Sequence, residues 1–444
     1  MMTKNPFAGP AQRKTTVPGW AWKILRVAML ALTGAVLWLL VFQPRLGLTV
    51  FWQVAIPMLP LLFLVAPGIW RNVCPMAFFN QLPAQMGMSW NKRLPLLARE
   101  NAYLVAVAAL FSLIFLRHPI LNLDAGAVVA MMISALALAF LGGITFTGKS
   151  GWCGTFCPIS PIEKCYGQVP MFVVSNDFCS VCGDCQKNCY DINPNATIFM
   201  DLADDSEWYV GHRKLFFGAL PGFLYWFFTT ADPTRIGYVA YVAGMVEYSV
   251  LSIGLFHLIA YLTPLRTFHV VQVFTIAAIL IFYWFAAPVM YAGFIEIFSV
   301  DLPGWTIQAL QGFVLLTVTI TWVRGVAHER AYRRRIPITD WSTGRSFDVA
   351  EGQPVLEGIQ AAGIPITSFC RRGQCGSDPI VILAGEDNIE PPRGDELETL
   401  RRLGLEGKAR LACSCVAHGP ATIDIRAGLA VKTAALDGEP SNDS

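Results

Sequence analysis

Eight apolar stretches, at residues 24–42, 49–70, 102–116, 127–147, 215–230, 239–262, 270–291 and 307–323, constrain this chain more than any other feature. A bilayer core takes about 20 residues of helix to cross, and a buried backbone there must satisfy its own hydrogen bonds. With 54% hydrophobic and 14% charged residues in 444, the chain is too apolar for one soluble domain. It reads as a polytopic α-helical membrane protein of about eight spans. A net charge of only +2 implies neither nucleic acid nor a generally acidic partner.

Residues 1–23 are polar and basic, and Gln43-Pro44-Arg45 rather than a small-residue cleavage site follows the first stretch, so that span is expected to be retained. With the N-terminus in the cytoplasm, Arg71, Lys92, Arg93, Arg99, Lys149, Lys164, Lys187, Arg213, Lys214, Arg266 and Arg324 fall on the cytoplasmic side. Arg45, Arg117 and Arg235 fall on the other. This positive-inside bias and an even number of spans put both termini in the cytoplasm of a multi-pass protein of the inner or plasma membrane. The basic run Arg324, Arg330, Arg333, Arg334 and Arg335 then reads as an anchor to anionic lipid. Pro57, Pro60 and Pro67 are expected to kink the second span, and Trp20, Trp22, Trp52, Trp70 and Trp305 to belt the interfaces.

The twelve cysteines fall in two groups, one between Cys74 and Cys189 and one between Cys370 and Cys415. Cys179, Cys182, Cys185 and Cys189 form a C-x2-C-x2-C-x3-C run, which puts four soft thiolates around one compact loop. This is the spacing of bacterial [4Fe–4S] ferredoxins, although Tyr190 stands where those usually have proline. A zinc site usually separates its paired cysteines by a longer gap, and thiols this close are poor independent cross-links, so metal ligation on the reducing side is preferred. Upstream, Trp152-Cys153-Gly154-Thr155-Phe156-Cys157-Pro158 follows the fourth stretch, and Trp70-Arg71-Asn72-Val73-Cys74-Pro75 ends the second. Trp70 takes the place of Cys153 in this degenerate copy, and the pair suggests a repeated helix hairpin.

Over residues 60–194 these motifs resemble membrane-bound ferredoxin-type proteins. That group includes quinol dehydrogenases of periplasmic nitrate reduction, nitrous-oxide-reductase accessory proteins and oxidase-assembly copper reductases. The resemblance implies cytoplasmic [4Fe–4S] ligation by the four-cysteine run, with Cys153 and Cys157 in the accompanying C-x3-C-P motif. Cys74, Cys153, Cys157 and Cys165 could make a second cubane, sharing ligands with Cys189, or could be buried thiols near helix ends.

Residues 336–427 resemble plant-type [2Fe–2S] ferredoxins, which implies a β-grasp fold. The markers are Ser368-Phe369-Cys370-Arg371-Arg372-Gly373-Gln374-Cys375-Gly376 and Arg410-Leu411-Ala412-Cys413. The third position of C-x4-C-x2-C falls on Asp378, and Cys415 is an extra thiol. Two ligand sets compete: Cys370, Cys375, Cys413 and Cys415, which thiolate softness favours, or three thiolates with Asp378. Asp378-Pro379 is also similar to ferredoxin-like modules attached to some nucleotide cyclases. The pattern predicts strands from Ile336, a turn at Ser342-Thr343-Gly344-Arg345, helices at 355–362 and 395–403, and a strand at 421–425.

The expected division is a four-span region at 1–147, a [4Fe–4S] ferredoxin-like segment at 148–212, four more spans at 213–324, the [2Fe–2S] domain at 336–427 and a flexible tail at 428–444. Glu247 and His257 in the sixth stretch and His269 at the seventh are costly in a membrane and point to a site or an internal partner, with quinone a candidate. Helix packing explains the histidines better than ligation, so no haem b is expected. His118, His212, His328 and His418 read as solvated. No catalytic acid–base pair or nucleotide-binding glycine motif stands out, which leaves at most an oxidoreductase component. The leading expectation is electron transfer at the membrane between clusters and an unidentified redox partner. The alternatives are an iron–sulfur redox sensor, a metalloenzyme maturation factor, or a cluster-gated transporter.

Overall fold

The computed structural model describes residues 17–92, 94, 96–174, 176–178, 207–230, 233–300, 302–369 and 373–437. The chain divides into two compact units, one of residues 14–184 and 193–325, the other built mainly of residues 326–444. The first is helical: α1 (Gly19–Phe42), α2 (Pro44–Thr49), α3 (Ile56–Val65), α4 (Pro67–Val73), α5 (Pro75–Gln85), α6 (Leu96–Phe115), α7 (Ala125–Thr145) and α8 (Ser160–Tyr166). After these come α9 (Glu207–Thr229), α10 (Pro233–Ile236), α11 (Tyr238–Leu262), α12 (Thr267–Phe298) and α13 (Trp305–Arg333).

Among the described residues, six helical segments are long and apolar enough to cross a membrane: α1, Pro44–Val65, α7, α11, α12 and Trp305–Ala331 of α13. Apolar residues such as Leu32, Val41, Val250, Leu255, Leu315 and Leu316 are exposed along them, as lipid-facing surfaces require. The stretches expected at 102–116 and 215–230 are also helical. The first lies in α6, whose apolar part, Asn101–Phe115, is shorter than the six. The second lies in α9, where Phe216, Leu220, Phe223 and Trp226 are buried against α11 and α12.

The second segment is interrupted as its prolines predict, and one break is sharper than a kink. Val50–Ala55 is π-helical just before Pro57 and Pro60, which lack the N–H that regular helix needs. At Ala66 the backbone leaves the helix, with φ −154° and ψ 75°, because the ring of Pro67 disfavours helical geometry in the residue before it. The segment expected to run to Trp70 therefore ends at Val65 and restarts as α4. Tyr283 of α12 donates to the carbonyl of Pro57 (2.9 Å), which ties the irregular segment to a well-buried helix.

The second unit is a five-stranded sheet with three helices. Its strands are β1 (Arg335–Asp340), β2 (Arg345–Ala350), β3 (Pro379–Ala384), β4 (Arg410–Leu411) and β5 (Ala421–Asp424), in the order β2-β1-β5-β3-β4. β1 pairs with β5 in parallel and the other pairs are antiparallel, so the two ends of the domain meet at the sheet centre. Helices α14 (Val355–Ala361), α15 (Asp395–Arg402) and α16 (Ile425–Asp437) accompany the sheet. Ile336, Ile338, Val355, Ile359, Leu400 and Ile423 belong to one core, each burial of this kind stabilising by roughly 1.5–3 kcal/mol.

The predicted turn at Ser342 is held by buried Asp340, which accepts from the hydroxyls of Ser342 (2.9 Å) and Thr343 (2.6 Å) and from the Ile425 N–H (3.2 Å). One boundary differs from the sequence expectation. Residues 428–437, read as the start of a tail, continue helix α16, because Val431 and Ala435 pack on the core and Gly428 lies against the carbonyl of Pro379.

Candidate iron–sulfur centres

Cys179, Cys182, Cys185, Cys189 and Cys370 lie outside the described residues. Of the other expected ligands, Cys74, Cys153, Cys157 and Cys165 are in the helical unit and Cys375, Asp378, Cys413 and Cys415 in the sheet domain.

In the helical unit each Cys-Pro step sets a sulfur at the start of a helical turn. Cys74 separates α4 from α5, with Pro75 at the first helical position, and its thiol accepts from the N–H groups of Met76 and Ala77. The Cys157 thiol accepts in the same way from Ile159 and Ser160. The two copies of the motif thus share a local geometry. Such N–H groups favour thiolate, but burial prevails and pushes Cys74 up to about 12 and Cys157 up to about 11. A charge on the Cys157 sulfur would raise the Cys74 thiol further.

Cys74 and Cys153 also pack in one apolar cluster with Phe178 and Trp70. Phe178 is itself clasped. The Arg26 guanidinium lies 3.9 Å from its ring centroid, pairs with Asp177 (2.8 Å) and donates to the Asn72 carbonyl (2.9 Å). Buried Asn72 accepts from the Asp177 N–H (2.8 Å). Sequence reading missed Arg26 and Asn72, although an arginine within the first apolar stretch, residues 24–42, was the signal available.

Cys165 stands apart from this cluster. Its thiol is 3.5 Å from the Thr275 hydroxyl, and burial pushes it up to about 12. It lines a cavity of about 30 Å³ with Gln168, Gln272 and Thr275. Among the described residues, no three histidine, cysteine or carboxylate side chains are gathered closely enough to hold a metal ion. Glu247 and His257 are exposed on α11 rather than turned inward, since that helix packs through one narrow side. His269 is half-buried, His212 is buried, and His118 Nε2 lies 3.0 Å from the Phe227 carbonyl.

In the sheet domain the loop before β3 is fastened from several sides. The Gln374 carbonyl accepts from Thr399 (3.2 Å) and Arg402 (2.6 Å) of α15, and the Gly376 carbonyl from Lys432 of α16 (2.6 Å). Two glycines make its path possible. Gly373 (φ +76°) would set a Cβ 2.6 Å from the Ser414 hydroxyl oxygen, and Gly376 (φ +63°) one 2.3 Å from Leu403. Ser377 joins the loop ends, accepting from the Phe369 N–H (3.0 Å) with its hydroxyl 3.0 Å from the Cys375 thiol.

Asp378 follows, fully buried, and one of its oxygens accepts from the Cys413 N–H (2.6 Å). Its other oxygen, Oδ1, has no hydrogen-bond partner among the described residues. Burial raises the Asp378 carboxyl, and burial followed by the Asp378 charge raises the Cys413 thiol strongly. The Cys413 thiol also accepts from the Gly373 N–H, which turns it toward the loop. Cys415 is fully buried, its thiol pushed up to about 12 by burial against the opposing pull of Arg410. Arg410 is itself paired through two nitrogens with buried Glu396 (2.9 and 3.0 Å).

These residues fit a [2Fe–2S] cluster. They offer the Cys375 and Cys413 thiols beside a loop shaped by glycines, and a buried carboxylate oxygen with nothing to bind. The comparisons agree. Residues 338–418 match the family described as 2Fe-2S iron-sulfur cluster binding domain. The 2Fe-2S ferredoxin-5 of Aquifex aeolicus (strain VF5) is 30% identical over 81 residues, which are 18% of this chain and 84% of that protein. No solved structure matches the chain. The matched residues run from β1 to His418 and include the glycine loop, Asp378 and both buried cysteines; through them the chain belongs to the 2Fe–2S ferredoxin family.

Proposed function

We propose that this is a membrane-anchored electron-transfer protein, in which the C-terminal [2Fe–2S] domain exchanges electrons with one or two [4Fe–4S] clusters at the membrane face. The observation that carries this reading is the way the chain is joined. A 2Fe–2S ferredoxin domain begins at Arg335, directly after α13, which is apolar and long enough over Trp305–Ala331 to cross a bilayer. Bound iron–sulfur clusters supply reversible one-electron transfer. The domain's own residues keep water out: Asp378, Cys413 and Cys415 are buried, and Thr399, Arg402 and Lys432 hold the loop carbonyls.

The spacing of Cys179, Cys182, Cys185 and Cys189 suits one [4Fe–4S] cluster. For a second, Cys74, Cys153 and Cys157 are the candidate ligands, and the packing of Phe178 on Cys74 and Cys153 supports this, because the next residue is Cys179. Cys165, set against Thr275, is left out of that set. The resemblance of residues 60–194 to membrane-bound ferredoxin-type proteins supports the same assignment. Among the described residues six segments meet the length and apolarity for crossing, and the sequence offers eight stretches. Both counts are even, which with the charge bias favours cytoplasmic termini in the inner or plasma membrane. The exchange partner would be a redox protein on that side, or quinone.

Iron and acid-labile sulfide per chain after anaerobic purification, with EPR of dithionite-reduced membranes, test the reading. A [2Fe–2S] and a [4Fe–4S] signal together, both responding to added quinol or to reduced soluble ferredoxin, are expected. A chain holding only the [2Fe–2S] cluster, or clusters that exchange electrons with no donor, would overturn it.

A further inference from the structure

We propose that Asp378 is an oxygen ligand of the cluster in the C-terminal domain, bound beside the Cys413 thiolate, and that Cys415 is a core residue that does not ligate. The proposal rests on the reading that this domain holds a [2Fe–2S] cluster.

Four observations lead to it. First, Asp378 occupies the place in the C-x4-C-x2 spacing where a third thiolate would stand, and the fold brings its side chain to Cys413, from whose N–H it accepts at 2.6 Å. Second, Oδ1 is buried without a hydrogen-bond partner among the described residues, a state that is costly for a neutral group and more so for a charged one. A metal ion at that oxygen removes the deficit. Third, among the described residues the surrounding charge is unfavourable for a carboxylate standing alone. Glu396 is a second buried carboxylate nearby, and the buried cation, Arg410, gives both its paired nitrogens to Glu396. Fourth, the two buried thiols have different surroundings. The Cys413 thiol meets the Gly373 N–H, the Ser414 hydroxyl and the Asp378 carboxylate.

Cys415 is fully buried and feels the charge of Arg410 first and those of Glu396 and Asp378 after it, and its backbone is pinned on both sides. Its N–H donates to the Leu411 carbonyl (2.8 Å), and its own carbonyl accepts from the Val355 N–H (2.8 Å). Bringing its sulfur to the loop would take it out of the core position in which it is fully buried. Thiolate softness favours a cysteine in the abstract, but a carboxylate already buried and half-satisfied at the site involves no such rearrangement.

The test uses the full chain, purified anaerobically, with the [2Fe–2S] EPR signal read at a temperature where [4Fe–4S] signals are broadened away. Asp378→Cys is expected to keep the cluster and shift its g values, as an oxygen donor gives way to sulfur. Asp378→Asn, which can still accept from the Cys413 N–H, is expected to alter the g values or lose at least half of the signal at an unchanged far-UV circular dichroism. Cys415→Ala is expected to retain the wild-type g values. A wild-type signal in Asp378→Asn, or loss of the signal in Cys415→Ala with the fold intact, overturns the proposal. Absence of a [2Fe–2S] signal from the wild-type chain instead overturns the reading of the domain itself.

Discussion

At the scale of single residues, charged groups in the ferredoxin domain owe their state to one or two neighbours. His418 shows this outside the cluster site. Its Nε2 lies 2.9 Å from Glu390 Oε1 and its Nδ1 3.9 Å from Glu351, and the hydrogen bond to Glu390 raises its pKa against the effect of partial burial. A histidine raised in this way stabilises the fold fully below its unfolded value, about 6.5, and loses that contribution as pH rises through the folded value. The melting temperature of the domain should therefore fall as pH rises from about 6 to about 8, and His418→Gln should flatten that fall. Because the side chain is 38% exposed, solvent screening keeps the effect small. An identical pH profile in the two proteins would show that the pair contributes nothing.

At the scale of elements, the glycine loop and α15 act as one piece. Glu396 stands in the first turn of α15, accepts from Arg410 through both carboxylate oxygens and also accepts from the Leu411 N–H (3.0 Å). It thereby joins the helix that holds the Gln374 carbonyl to the strand that leads to Cys413 and Cys415. Removing one member of such a buried pair strands the other charge, so Glu396→Ala should destabilise the domain by about 3–5 kcal/mol in thermal or urea unfolding. Replacing both, as in Glu396→Leu with Arg410→Met, should recover much of that loss. A single variant as stable as the wild type would show that the pair does not fasten the loop. The clasp of Arg26 and Asn72 has the comparable place in the helical unit, where it fixes Asp177 and Phe178 beside Cys74 and Cys153.

At the scale of the whole molecule, the apolar helices govern where the protein resides. Segments such as α11 expose apolar side chains along most of their length, and no soluble environment would tolerate that area uncovered. The chain should stay with membranes after alkaline carbonate washing and be released only by detergent. Release by carbonate would mean that the helices lie on the bilayer or are covered by another protein. Most of this architecture was legible beforehand, because hydropathy over a span is a sum that does not depend on which neighbour each residue meets. The break at Ala66 and the extension of α16 were less legible: proline sterics and packing on β3 act locally and can outweigh the average.

By itself, the sequence determined the membrane character, the ferredoxin spacing of its cysteines and the run of strands and helices in its last quarter. Composition and covalent spacing carry those properties directly. Tertiary structure alone decided that Cys165 meets Thr275 rather than Cys74, that Arg26 clasps Phe178, and that the Cys413 thiol meets the Gly373 N–H of the glycine loop while Cys415 is fully buried. Cys413 and Cys415 are two residues apart and chemically identical, so spacing cannot separate them. Their difference comes from a turn fixed by backbone hydrogen bonds of Cys415 to Leu411 and Val355.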